Sequence, residues 1–208
     1  MKQKPMMPEK NMKVQLRDNA TGQVVIGTLT VFKAKHQKMW EEQWKKALDK
    51  GRRSGPNNYP DAEWDWSSIF KAALKSQESK CYCIIYKDKL QGMLFISFTN
   101  RMNLQDSPVV YVDYLASAPW NRVKGEISFV GFWLIYRACQ LSKNLGFGGR
   151  LALSSEPGAE QFYNEKIKMQ KKGKNKEGET YFELDENGCQ TFMALFEEII
   201  QKKLKQKS

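Results

Sequence analysis

Apolar residues recur along the chain at two spacings, near two and near 3.6, and their alternation predicts the element order. Val14–Lys35 is rich in β-branched residues and is broken by Asn19-Ala20-Thr21-Gly22, the signature of a hairpin. His36–Lys50 sets Met39, Trp40, Trp44, Ala47 and Leu48 at helical spacing. Ala62–Lys75 repeats that pattern with Trp66, Ile69, Phe70, Ala73 and Leu74, after a Gly/Pro/Asn/Arg loop over Gly51–Pro60. Cys81–Phe98 reads as a second hairpin turning at Lys87-Asp88-Lys89. Beyond the polar stretch Asn100–Ser107, Val109–Ser117 is apolar on both faces except at Asp113, as in a central buried strand. Phe132–Leu145 is a helix with Leu134, Ala138, Leu141 and Leu145 as its buried stripe and Gly146 as its C-cap. Arg150–Ser154, Ala159–Lys166, Tyr181–Leu184 and Cys189–Lys203 follow as strand, short helix, strand and amphipathic closing helix. This order predicts an α/β fold on a mixed sheet, with a parallel, right-handed strand–helix–strand crossover at its centre.

Composition narrows the picture. The 208 residues suit one domain over 13–208, and residues 1–12 read as a flexible arm without periodicity. The start lacks the apolar stretch of a signal peptide and no run approaches a membrane span, so the expected location is cytoplasmic. Four cysteines, Cys81, Cys83, Cys139 and Cys189, form no disulfide framework and are expected reduced. His36 is the only histidine, which argues against a metal centre and against Ser-His or Cys-His nucleophilic catalysis. A net charge of +11 favours anionic partners. Lys166, Lys168, Lys171, Lys172, Lys174 and Lys176 crowd into one stretch, read as a solvated hairpin loop or a phosphate-facing patch. No aromatic residue interleaves with them, so nucleic acid is a weaker expectation.

The chemistry concentrates in Leu115-Ala116-Ser117-Ala118-Pro119-Trp120-Asn121-Arg122, followed by a helix, a glycine, a strand and Phe162-Tyr163. That ordered set resembles the GNAT superfamily of acyl-CoA-dependent N-acyltransferases, over about residues 81–184. More narrowly it looks like a bacterial subfamily with an Ala-Pro-Trp-Asn-Arg signature and a Tyr-Phe-Glu strand near the end. The resemblance implies a GNAT-like, mostly antiparallel central sheet with a parallel strand–helix–strand core and flanking helices. It also implies acetyl-CoA or another acyl-CoA as cosubstrate, no metal, and an amine acceptor on a small molecule, protein or peptide. Residues 109–166 would form the cofactor side and residues 36–75 a helical acceptor side.

Within that resemblance, Leu115 and Ser117 would offer strand backbone to the pantetheine arm. The pyrophosphate needs free backbone N–H groups at a helix N-terminus, where the macrodipole favours an anion. Two registers fit the phosphate loop. One runs from Arg122 through Gly125 to Ile127; the other runs from Glu126 through Phe129 to Gly131 and is preferred because it gives the shorter following helix. In the second, glutamate replaces a basic or amide residue and phenylalanine replaces glycine. Arg122, Lys124, Ser128, Val130 and Gly131 are the expected phosphate-side residues.

For catalysis, Tyr163 matches the tyrosine that protonates the departing thiolate in the resembled family, although Glu156 stands where that motif has asparagine. Asp113 is the candidate base, expected on the same face as Leu115 and Ser117, with its pKa raised by burial. Trp40, Trp44 and Trp66, with Trp64, Asp61 and Asp65 nearby, would line an acceptor pocket; the same tryptophan spacing equally describes a core. Two function classes stay open: an N-acyltransferase working by direct transfer, and a binding module that keeps the fold with an impaired phosphate loop.

Overall fold

The computed structural model describes residues 10–54, 60–98, 101–122 and 125–205. The arm over 1–12 therefore falls almost wholly outside the described residues. The first hairpin pairs β1 (Met12–Asp18) with β2 (Val24–Val31). A helical stretch follows, consisting of α1 (Ala34–Met39), a π-helical turn Trp40–Lys45 and α2 (Lys46–Ser54). A 3-10 turn at Pro60–Glu63 leads to α3 (Trp66–Lys75), whose N-cap Asp65 accepts from the Ser67 N–H. Next come β3 (Ser79–Tyr86), β4 (Lys89–Ser97), β5 (Val110–Ser117), a two-residue β6 (Ile127–Ser128) and α4 (Val130–Asn144). The chain closes with β7 (Leu151–Ser155), a π-helical turn Phe162–Ile167, β8 (Gln170–Lys174), β9 (Thr180–Leu184) and α5 (Glu186–Lys205).

All nine strands share one sheet in the order β6-β1-β2-β3-β4-β5-β7-β9-β8. Every neighbouring pair is antiparallel except β5 and β7, which α4 connects in parallel. The period of two along β3 shows how the sheet feeds two cores. Tyr82 and Ile84 enter the core beneath α4 and α5, while Cys81 and Cys83 enter the one beneath α1–α3. On α4, Leu134, Ala138 and Leu141 are buried as the helical period requires, each apolar side chain contributing about 1.5–3 kcal/mol when fully covered, less for alanine.

Two strands escaped the pattern. The lysine-rich stretch expected to be a loop contains β8, at the open edge of the sheet. Its residues are mostly exposed, so no apolar alternation marks it. Ile127–Ser128 pairs with the end of β1, which rules out the loop register that begins the helix at Ile127. The four cysteines are buried thiols, and Cys83 Sγ lies 3.3 Å from His36 Nδ1. No helix among the described residues is long and apolar enough to cross a membrane.

Candidate functional site

Strands β5 and β7 pair only at Val110–Leu151 and Tyr111–Ala152, although β5 runs on to Ser117 and β7 to Ser155. A bulge sits where they part. Ile96 of β4 faces Val112 and Phe95 faces Tyr114, which leaves Asp113 as an extra residue on β5. Such a residue bends its strand and sharpens the local twist. Beside the opening lies a cavity of about 380 Å³, walled by Leu115 and Ser117, by the segment Ile127–Phe132, and by Ala159, Phe162 and Tyr163.

The N-terminus of α4 forms the polar part of that wall. The N–H groups of Val130, Gly131 and Phe132 have no acceptor among the described residues, and Trp133 is the first to bond back, to the Phe129 carbonyl. Three free amides at the positive end of a fifteen-residue helix are a seat for an anion. Phe129, the N-cap, has φ 74° and ψ 3°, the left-handed conformation that glycine adopts without strain. Phenylalanine thus keeps the backbone shape that the loop pattern assigns to glycine. Its ring is held by edge contacts to Phe132 and Phe196, each with centroids 6.0 Å apart. A Cβ at Gly131 would sit 3.0 Å from the Phe162 ring, which would have to give by a few tenths of an ångström.

The Trp120-Asn121-Arg122 stretch is a clasp. Gln91, buried in β4, accepts through Oε1 from Trp120 Nε1 at 3.2 Å and Asn121 Nδ2 at 2.9 Å, and donates to the Tyr86 carbonyl. Asn121 Oδ1 accepts the Ile127 N–H at 3.0 Å. From the first hairpin, Asn19 Nδ2 donates to the Gly125 carbonyl and Asn19 Oδ1 accepts from Ser128 Oγ. The β5–α4 loop is therefore pinned from both sides. Gln91 and Asn19 were missed from the sequence; the only signal was a lone glutamine inside an apolar strand.

Arg122 lies away from the cavity wall. Its guanidinium grips both carboxylate oxygens of Asp61, and its Nε donates to the Ser117 carbonyl at 2.9 Å. Both side chains are largely covered, so this bidentate pair ties the 3-10 turn to β5. It also occupies one of the backbone groups assigned to the pantetheine arm. Glu126 points to Lys89, 3.5 Å away on the surface, and does not line the cavity. Lys124 lies outside the described residues. Leu115, Ser117, Ser128, Val130, Gly131 and Tyr163 do meet at the cavity.

Asp113 is not on the face of Leu115 and Ser117, because the bulge shifts the alternation by one. Leu115 packs with the α4 core, while Asp113 bonds across the sheet's other face to Arg101, Oδ1 to Nη2 at 3.1 Å. Arg101 in turn donates to Ser97 Oγ and stacks on Tyr111. Burial pushes the Asp113 carboxyl above the usual range, with Ser97 and Arg101 pulling it partly back. Its Oδ2 is buried without a hydrogen bond to any described residue. Tyr163 is buried against Phe162 and Phe182, and burial raises its phenol well above the ordinary value, so it stays protonated.

Trp40, Trp44 and Trp66 are 3%, 0% and 1% exposed in the α1–α3 core, so they build that core. Next to Asp113 in sequence, Tyr114 meets the half-buried Trp64, with ring centroids 4.9 Å apart. Glu156 stands close enough to Glu179 and Asp61 that their charges, after burial, raise its pKa.

No protein-family model matches the chain, and no curated protein matches its sequence. Solved structures do match. An acetyltransferase of the GNAT family from Listeria monocytogenes 4b F2365 superimposes with a TM-score of 0.52 at 12% identity, covering 76% of this chain and 94% of that one. The PaiA N-acetyltransferase from Thermoplasma acidophilum, solved in complex with coenzyme A, gives a TM-score of 0.52 at 8% identity, covering 76% and 97%. The mostly antiparallel sheet with one parallel pair and flanking helices is the GNAT-like architecture that the sequence implied.

Proposed function

We propose that the protein is an N-acyltransferase that moves an acetyl or other acyl group from acyl-CoA directly to an amine, within the bacterial Ala-Pro-Trp-Asn-Arg group it resembles. The observation that carries this is the parting of β5 and β7 between two unlike environments. On one face stand the three free amides of α4 and the cavity; on the other stands a half-desolvated carboxylate. A thioester laid through such a gap meets its donor contacts on one side and its acceptor on the other. The solved neighbours that share the fold are named as acetyltransferases, one of them with coenzyme A bound.

The chain's residues divide the work as follows. Val130, Gly131 and Phe132 N–H groups receive a phosphate oxygen, and Leu115 and Ser117 flank the arm. Asp113, with its free Oδ2, takes the proton from the attacking amine; a raised pKa makes it a better base near neutral pH than an ordinary aspartate. Tyr163, held protonated, donates to the sulfur as the C–S bond breaks. The neighbouring carboxylates of Glu156 and Glu179 favour a cationic acceptor. Titration calorimetry with acetyl-CoA, followed by thiol release with a panel of amines, tests this. Millimolar acetyl-CoA giving neither heat nor thermal shift would leave the fold as a non-catalytic module, the reading that a phenylalanine at position 129 favours.

A further inference from the structure

We infer that an acidic carrier domain bearing the acyl-phosphopantetheine arm presents the donor to this site in preference to free coenzyme A. The inference rests on the acyl-transfer reading and specifies its donor.

The first observation concerns what the cavity can neutralise. Coenzyme A brings a pyrophosphate and a ribose phosphate; a carrier-bound arm ends in one phosphodiester with a single charge. No lysine or arginine is among the described residues that line the cavity. Arg122, the described cation of the loop, is committed to Asp61 and the Ser117 carbonyl. Three amides at a helix N-terminus suit one phosphate group. Phe129, left-handed at the N-cap, lines the same wall at the position where the loop pattern has glycine.

The second observation is what adjoins the cavity. Phe132 also belongs to a neighbouring groove of about 340 Å³ between α5 and the π-helical turn. The groove is apolar through Ile167, Phe192, Leu195 and Ile199, and its only charged wall residues are Lys166 and Lys168. Leu195 and Ile199 are 50% and 41% exposed, unusual for large aliphatic side chains. Neither lysine has an ion-pair partner among the described residues. Beyond them the basic run continues along exposed β8 on a chain of net charge +11. An acidic partner with a small apolar contact is complementary to this surface, and docking there sets its arm beside the three amides.

The test compares four probes by calorimetry on the whole protein: 4′-phosphopantetheine, coenzyme A, an acidic acyl carrier protein in its phosphopantetheinylated form, and the same carrier without the arm. The expected order has 4′-phosphopantetheine equal to coenzyme A, and the armed carrier tighter than either by roughly tenfold or more. Lys166→Glu with Lys168→Glu removes that gain and leaves 4′-phosphopantetheine binding unchanged, which also shows that the variant is folded. Coenzyme A binding ten times tighter than 4′-phosphopantetheine would mean that the nucleotide is recognised; it overturns the inference and leaves the acyltransferase reading standing. Equal binding of armed carrier and free arm also overturns it. If none of the four probes binds, the acyltransferase reading fails and this inference falls with it.

Discussion

The two oxygens of Asp113 are in different situations: Oδ1 is paired with Arg101, whereas Oδ2 is buried and unpartnered. One oxygen holds the group in place and the other is free for a proton. Asp113→Asn keeps the shape and removes the base, so turnover should fall about 10²–10⁴-fold with thioester binding intact. The sign of the pH effect follows from the raised pKa. The carboxylate is the active form, so the rate falls as pH drops through a value above the ordinary aspartate range, and the pH–rate profile of the wild type shows that acid limb. From sequence, Asp113 was visible as the one acid in an apolar strand, but its side of the sheet was not, because an inserted residue leaves no mark on composition. The tryptophans show the reverse limit. Helical spacing identified Trp40 and Trp44 on one helix and Trp66 on another as inward-facing, and only packing shows that they share one core.

The β5–α4 loop was read at the right register because helix length constrains it, yet its grip was misassigned. Arg122 looked like a phosphate ligand and serves as a tie between β5 and the 3-10 turn. Its partner is some sixty residues away along the chain, which no local pattern reports. Phe129→Gly tests the loop's balance. It relieves left-handed strain of about 1 kcal/mol and loses ring contacts to Phe132 and Phe196 that are worth more, so chemical denaturation should show a net loss of about 2 kcal/mol. The lysine run has a second use at this scale. β8 is an edge strand, and charged side chains there discourage pairing with another chain.

The whole molecule carries its charge and its acid sensitivity in separate places. His36, buried beneath the sheet, is held down to about 4 by burial first and then by Lys35 and Lys33. Its Nδ1 accepts the Lys33 N–H at 3.0 Å, which requires the neutral ring. Unfolded, the same group titrates near 6.5. The folded state therefore binds fewer protons between those values, and its stability is full above about pH 6.5 and declines toward pH 4. Denaturant unfolding across that window should show the decline, and His36→Gln should flatten it. Nearly all of the fold, from the first hairpin to the closing helix, was legible because each element carries apolar residues at its own period or in an unbroken buried run; β6 and β8 were not, having too little buried surface to leave a period.

The extra residue in β5 has a further consequence for the sheet as a whole. Val110 and Val112 before it and Leu115 after it enter the same core, while Tyr114 and Ala116 join the other. Excising Asp113 alone would thus leave an unbroken alternation, with every remaining side chain already on its proper side. A chain shortened by that one residue should fold, and β5, no longer bent, should zip onward along β7. Hydrogen exchange would report it as new protection over residues 112–117 and 153–155, together with the loss of thioester binding. The opening through the sheet is, in those terms, a seam held unzipped by a single insertion.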